Sequence, residues 1–413
     1  MEVLHSRCAG LDVHKKSVVA CIRVADKDQV NMEVATFGTT TKELLRLSDW
    51  LQESGITHVV MESTGVYWKP VWHVLDGGFQ VCLANASHVK NVPGRKTDVN
   101  DATWLAELLA HGLIRGSFVP PTDIQDVRDL TRTRKQLVRE RARHVQRLQK
   151  TLEDANIKLT GVVTDIMGKS GRAVLAALVG GENDPQKLAS LVDRRVKASP
   201  QQLMDALQGR VRDHHRFVLE LHLKQIDALS SAIGELEGRL GKELDPFREP
   251  AALLETIPGV SGTAAQTLIA EMGVDMTRFP TANHLVSWAG LCPKNDESAG
   301  KRRSTRIRKG AAWLKTVLVQ CAWAAVRSKD TYLRSTFYRL RARRGAMKAI
   351  VAVAAAILRS AYFMLTRNEP YAELGSRYYE KRERAKSITR LLRRLDTLGI
   401  QVLQFTDAEL VSP

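Results

Sequence analysis

Residues 1–121 constrain the fold most, because three short apolar runs are followed there by alternating helical and extended patterns. That order reads as a mixed α/β sheet. Ala9 to Val13 and Ser17 to Val24 are separated by the turn-like HKKS, and ADKDQ leads into a third run, Asn31 to Phe37. Lys42 to Gln52 places Leu44, Leu45, Leu47 and Leu51 at helical spacing. An apolar run from His58 to Met61 ends at Glu62, another helical stretch begins at Tyr67, and Gln80 to Ala84 reads as a strand. The last element is a helix opening in KTDVNDA, with Thr97 as N-cap, Ala102, Leu105, Ala106, Leu109 and Leu113 at helical spacing, and Gly112 as a stop. Three strands followed by helix and strand in alternation is the order of an RNase H-like domain.

Four carboxylates occupy particular places in that order. Asp12 lies in the first strand and Glu62 at the end of the fourth, while Asp98 and Asp101 share one face of the last helix. Acids in a first helical turn are also favoured by the helix dipole alone, so no single member carries the argument. In such a sheet the first and fourth strands are neighbours. A carboxylate from each, faced by two from a helix across the sheet, makes a cluster that cannot stay ionised without a cation. Oxygen ligands of this kind suit Mg²⁺ or Mn²⁺, and two such ions roughly 3.5–4 Å apart form the clamp used on phosphodiesters. His14 reads as a surface histidine in a turn.

Charge separates this segment from the rest. The 413-residue chain has a formal net charge of +17, with 62 Lys and Arg against 45 Asp and Glu. Residues 1–121 hold 12 of the basic residues and 13 of the acids, so the excess belongs to the later domains and points to a polyanionic partner, nucleic acid before membrane. Five cysteines without a CxxC pair indicate neither a disulfide framework nor a zinc site, which fits a reducing cytoplasm. No basic region followed by an apolar stretch opens the chain, and the most apolar later run, Ala349 to Leu358, is about half of what a membrane span requires.

Ile124 to Ile157 reads as a long charged helix with Val127, Leu130, Leu137, Val145, Leu148 and Leu152 near heptad spacing. A second such stretch carries Val218, Ile226, Leu229, Ile233, Leu236 and Leu240, and the pair reads as an antiparallel coiled-coil arm or a dimerisation device. Short helices are expected between them, over about 158–210. IPGVSGTAA has the pattern of a helix-hairpin-helix, in which Gly259, Ser261, Gly262 and Thr263 would present backbone N–H groups to a phosphate. GLCPKNDESAGKRRSTRIRKG then combines a polar loop with a basic run: Ala299 to Lys348 holds fifteen Lys and Arg and one acid, Asp330. Lys301, Arg302, Arg303, Arg306, Arg308 and Lys309 are the candidate nucleic-acid contacts. Apolar helices around Trp313 and Ile350 form core, and a tail begins near Tyr371.

GLDVHKKSVVACI, VVMESTGVYWKPV, GRKTDVNDATWLAELLAHG, IPGVSGTAAQTLIAEMG and GLCPKNDESAGKRR, in this order, resemble the DEDD-type insertion-sequence transposases related to the Piv DNA invertase. The resemblance implies a RuvC-like α/β domain, a coiled-coil arm and an all-α C-terminal transposase domain, expected here over 1–121, 122–247 and 248–370; the segment inserted in the arm and the tail over 371–413 are longer than in compact relatives. It further implies a DNA recombinase guided by a bridge RNA. Asp12, Glu62, Asp98 and Asp101 would be its Mg²⁺-binding quartet, and Ser298 its nucleophile. Ser304 is the fallback nucleophile. Because the serine and the acids lie on different domains, a homo-oligomer, dimer or tetramer, is expected. The competing reading is a RuvC-like junction nuclease that hydrolyses DNA with the quartet alone.

Overall fold

The near-continuous apolar run of β1 (Arg7–Val13) belongs to a strand covered on both faces, and in the computed structural model of the chain it lies at the centre of a five-stranded sheet. β1 pairs antiparallel with β2 (Ser17–Asp26), which pairs antiparallel with β3 (Gln29–Gly38). On its other side β1 runs parallel to β4 (His58–Glu62), itself parallel to β5 (Gln80–Ala84), so the order is β3-β2-β1-β4-β5. The first and fourth strands are neighbours, as the strand order requires. The described residues are 3–26, 29–62, 65–85, 89, 100–114, 116–293, 296–304, 306–307 and 310–399. The chain divides into two units, Met1–Val119 and Pro120–Pro413.

Strand alternation sorts the core of the first unit onto the two faces of the sheet. α1 (Thr41–Glu53) and α2 (Trp68–Leu75) bury Leu44, Leu47, Leu51, Val71 and Leu75 against Ala9, Leu11, Val59 and Met61. α3 (Asp101–Ala110) covers the opposite face, with Leu105, Leu108 and Leu109 against Cys8, Val60 and Ala84. Each buried leucine contributes about 1.5–3 kcal/mol before chain entropy is counted against it. Gly10 sets how closely α3 approaches, since a Cβ there would stand 2.2 Å from the Ala102 carbonyl oxygen and 2.5 Å from the Ala106 nitrogen.

In the second unit α4 (Thr122–Asp154) is followed by four short helices, α5 (Leu159–Val162), α6 (Lys169–Val179), α7 (Pro185–Ser190) and α8 (Pro200–Leu207), and then by α9 (Asp213–Glu243). α4 and α9 lie antiparallel: Arg134 meets Glu237, Arg141 meets Ser230, His144 meets His222, and Asp154 meets His215. Leu219, Ile226, Ile233 and Leu240 are buried at seven-residue steps along α9, the heptad period of paired helices. The buried position is Leu219 rather than the neighbouring Val218. The short helices close over one end of the pair, joining Leu175, Leu178, Leu188 and Leu207 to Leu148, Leu152 and Leu219 in one cluster.

The chain continues through α10 (Arg248–Glu255), α11 (Gly262–Met272) and α12 (Ala282–Trp288) to a two-stranded ribbon, β6 (Asp296–Ser298) and β7 (Lys301–Ser304). This ribbon corrects the expectation of an all-α domain with a polar loop at this point. Ala299 and Gly300 both have positive φ, +49° and +71°, as the two-residue turn that matches strand twist requires. α13 (Ala312–Ala325), α14 (Tyr332–Arg344), α15 (Ala346–Arg367) and α16 (Tyr378–Thr397) complete the described chain. α15 extends well beyond the apolar run read in the sequence and is long and apolar enough to cross a membrane by length and composition. Ile350, Val353, Ala354, Ile357 and Leu358 are nevertheless buried in the second unit.

The start of α4 is tied to α11 by a buried ion pair. Glu271, 1 % exposed, accepts from Arg132 Nε and Nη2 at 2.8 Å each, while Arg128 donates to the Ala270 and Glu271 carbonyls at 3.0 and 2.6 Å. Burial lowers Arg128 to about 10. Glu271→Gln is expected to destabilise the second unit by about 3 kcal/mol, toward the lower end for a broken buried pair because Arg132 is partly solvated. Urea unfolding measures this, and a loss under about 1 kcal/mol would place the pair in the energetic class of exposed ones.

Candidate active site and nucleic-acid surfaces

Cys8, Gly10 and Asp12 alternate onto the face of β1 that α3 covers, because side chains on a strand change face at every residue. The β1 and β4 register pairs Leu11 with Met61, so one further step sets Asp12 beside Glu62 at the C-terminal ends of two neighbouring parallel strands. Val60, two residues before Glu62, lies in the cluster under α3, which puts Glu62 on that face as well. The Cys8 thiol reaches the Ala106 carbonyl at 3.5 Å and Gly10 lies under Ala102. α3 therefore runs opposite to β1, and its first residue, Asp101, lies toward the strand ends that carry Asp12 and Glu62. All three acids are half-buried.

Asp98 and Thr97 lie outside the described residues. The N-cap of α3 is Asn100, whose Oδ1 accepts from the Ala102 N–H at 3.0 Å, so α3 begins at Asp101 rather than just after Thr97. Asparagine satisfies an orphan donor of the first turn as well as threonine does. The helical face assigned to Asp98 and Asp101 together is described only at Asp101. Among the described residues no three His, Cys, Asp or Glu side chains stand close enough to hold one ion. Two adjacent carboxylates with a third at a facing helix start are nonetheless donors of the type that a hard, largely hydrated cation takes.

His14 is exposed in the turn between β1 and β2, and its Nε2 stands 3.1 Å from Asp12 Oδ2. The contact was readable only as a spacing of two residues near a strand end.

Ser298 ends β6 and pairs with Lys301 across the Ala299 and Gly300 turn. Its side chain lies outside the described residues, as do those of Arg302 and Arg303, and Arg308 and Lys309 lie outside them altogether. Ser304 pairs with Asp296, and its Oγ accepts from the Arg306 N–H at 3.2 Å. Lys301 and Arg306 are exposed. Ala299, beside Ser298, holds a left-handed conformation that costs a non-glycine residue about 1–2 kcal/mol. The serines belong to the second unit and the acids to the first.

α10 and α11 form an αα-hairpin at IPGVSGTAA. Gly259, at φ +86°, is the turn glycine, and a Cβ there would stand 2.4 Å from the Cys321 oxygen and from the Ala325 nitrogen, so the turn is clamped on α13. Ser261 caps α11 by accepting from the Ala264 N–H at 3.4 Å, and Thr263 is exposed. A Cβ on Gly262 would lie 3.0 Å from Glu255 Oε1. A carboxylate therefore already faces the helix start, and a phosphate there would have to displace it. Sequence reading did not find Glu255 in this role; an acid six residues before a cap is its only local signal.

Residues 9–157 match a protein-family model described as "Transposase", and residues 251–339 match one described as "Transposase IS116/IS110/IS902 family". The chain is 27% identical over 325 residues, 76% of its length and 79% of the relative's, to the transposase for insertion sequence element IS1111A of Coxiella burnetii (strain RSA 493 / Nine Mile phase I). It is 24% identical over 299 residues, 70% of its length and 73% of the relative's, to the pilin gene-inverting protein of Moraxella bovis.

Proposed function

Since the chain belongs to the IS110 family of transposases, enzymes that act on DNA, we propose that it exchanges DNA strands at sites chosen by a guide RNA. Ser298 is the nucleophile in this reading, and Asp12, Glu62, Asp98 and Asp101 would hold Mg²⁺, for which Mn²⁺ could substitute. The observation that carries it is the placement of Asp12 beside Glu62 at adjacent strand ends, with Asp101 at the start of the helix that packs over them.

When bound, the cation would lower the barrier by neutralising charge on the attacking and leaving oxygens. The Ser298 hydroxyl loses its proton and attacks phosphorus, forming an Oγ–P bond while the bond to a bridging deoxyribose oxygen breaks and that oxygen leaves protonated. A hydroxyl of the partner strand then attacks the same phosphorus and frees the serine. A covalent phosphoserine conserves the phosphodiester energy that hydrolysis would lose, so rejoining needs no energy source. Lys301, Arg302 and Arg303 stabilise charge on the transferring phosphate. Serine and quartet lie on separate units, which is consistent with an active site completed in a homo-oligomer. The reading places the protein in the cytoplasm with its DNA.

Purified from cells carrying its own element, the protein is expected to retain a discrete RNA, and nuclease removal of that RNA is expected to abolish strand exchange. Binding should weaken steeply with salt, because Lys and Arg contacts to phosphate release counterions. Exchange that continues unchanged without RNA would refute guidance and assign site choice to the protein itself.

A further inference from the structure

We propose that Tyr338 and Trp323 form a stacking platform for unpaired bases of single-stranded DNA. The proposal rests on the transposase reading, since strand exchange is the step that frees such bases.

Trp323 on α13 and Tyr338 on α14 are 38 % and 48 % exposed, and they are linked through the buried Phe337. Phe337 meets Trp323 edge-on at 5.8 Å and Tyr338 edge-on at 5.3 Å between centroids. Two large rings thus reach solvent on a shared buried support. A single exposed aromatic needs no explanation, but two braced on one buried ring form a patch.

The charge around the patch identifies the occupant. α14, YLRSTFYRLRARR, contains no acid, and Arg339, Arg341, Arg343 and Arg344 are all exposed, as are Arg327 and Lys329 in the turn before it. Arg334 is held in place: its Nη1 donates to the Val326 and Arg327 carbonyls, at 3.5 and 3.3 Å, at the end of α13. Its guanidinium lies 5.3 Å from the centre of the Tyr338 ring. Arg341, exposed and 6.0 Å from the same centre, is able to swing from ring to phosphate. One anchored cation, one cation that can leave the Tyr338 ring to a base, and two rings that reach solvent suit a strand whose bases stack while its phosphates follow the arginines. A duplex keeps its bases stacked on one another and would use the arginines alone.

The test uses the full-length protein, a DNA oligomer carrying 2-aminopurine, the same sequence as RNA, and a blunt duplex. The single-stranded DNA should lose fluorescence on binding, and Tyr338→Ala or Trp323→Ala should each weaken its binding about tenfold while duplex binding changes little. Tyr338→Phe, which keeps the ring, should bind as the parent does, and unchanged thermal unfolding of the alanine variants would show that they fold. Unchanged single-strand affinity in Tyr338→Ala overturns the platform, as does an equal loss on duplex, and quenching confined to the RNA oligomer overturns its assignment to DNA. A separate strand-exchange assay keeps the two readings apart: exchange without quenching removes only the platform, and quenching without exchange removes only the transposase mechanism.

Discussion

Asp12→Asn is expected to lower strand exchange by a factor on the order of 10³ and to leave the melting temperature at or above that of the parent. Two effects of one substitution separate here. Asp12 and Glu62 stand side by side at the ends of β1 and β4, so replacing one carboxylate by an amide removes a ligand and at the same time relieves repulsion between neighbouring anions. A residue needed only for folding would lose stability and activity together. The substitution also changes the group that meets His14 Nε2 at 3.1 Å, but that histidine is exposed, so its contact contributes little to stability. Asp101→Asn should behave in the same way, because an acid that merely complemented the helix dipole would cost stability when neutralised and leave exchange intact. The measurements are a strand-exchange assay with and without EDTA and scanning calorimetry of each variant. Parental rates in EDTA, or in either variant, would sink the metal assignment.

The second large effect is expected at Ser298. A suicide DNA substrate should become attached to the parent protein through this residue, and Ser298→Ala should lose both attachment and cleavage, a fall of several orders of magnitude. It ends β6 one residue before the left-handed Ala299, and backbone strain of this kind clusters at functional sites. Ser298→Cys grades the result. A thiol of pKa about 8.5 is a strong nucleophile but a soft ligand that suits Mg²⁺ poorly, so weak attachment rescued by Mn²⁺ would indicate contact between metal and nucleophile. An adduct mapped to Ser304 would keep the mechanism and move the residue, and in that case the Oγ that accepts from Arg306 N–H would have to be released. Cleavage retained in Ser298→Ala, with no adduct under any condition, would instead identify a nuclease that uses water.

Local patterns account for what was legible. The strands near Ala9, Ser17, Asn31, His58 and Gln80 were visible because alternation and turn residues act over a few positions, and each is present within two residues of its expected bounds. The short helices between α4 and α9 were visible from their prolines and glycines, and Asp184 and Ser199 do cap α7 and α8. The start of α3 was less well determined, since Thr97 and Asn100 are both good caps and nothing local chooses between them. The ribbon at 296–304 was missed for a related reason. Its turn is Ala-Gly, and alanine at φ +49° lacks the Asn or Asp signal that marks such turns.

By itself the sequence determined the order of strands and helices in the first unit, the positions of its acids along that order, and the concentration of basic charge after residue 121, because all three are properties of the chain read along its length. Tertiary structure alone decided which of these groups meet. Asp12 and Glu62 are fifty residues apart in the chain and become neighbours only through the parallel register of β1 and β4. The start of α3 is brought toward them only because Gly10 lacks the side chain that would hold the helix away. The pairing of Arg132 with Glu271, and the carboxylate of Glu255 at the start of α11, likewise depend on contacts between separate elements. Such contacts are settled by close packing, which compares whole surfaces and leaves no signature in any short window of sequence.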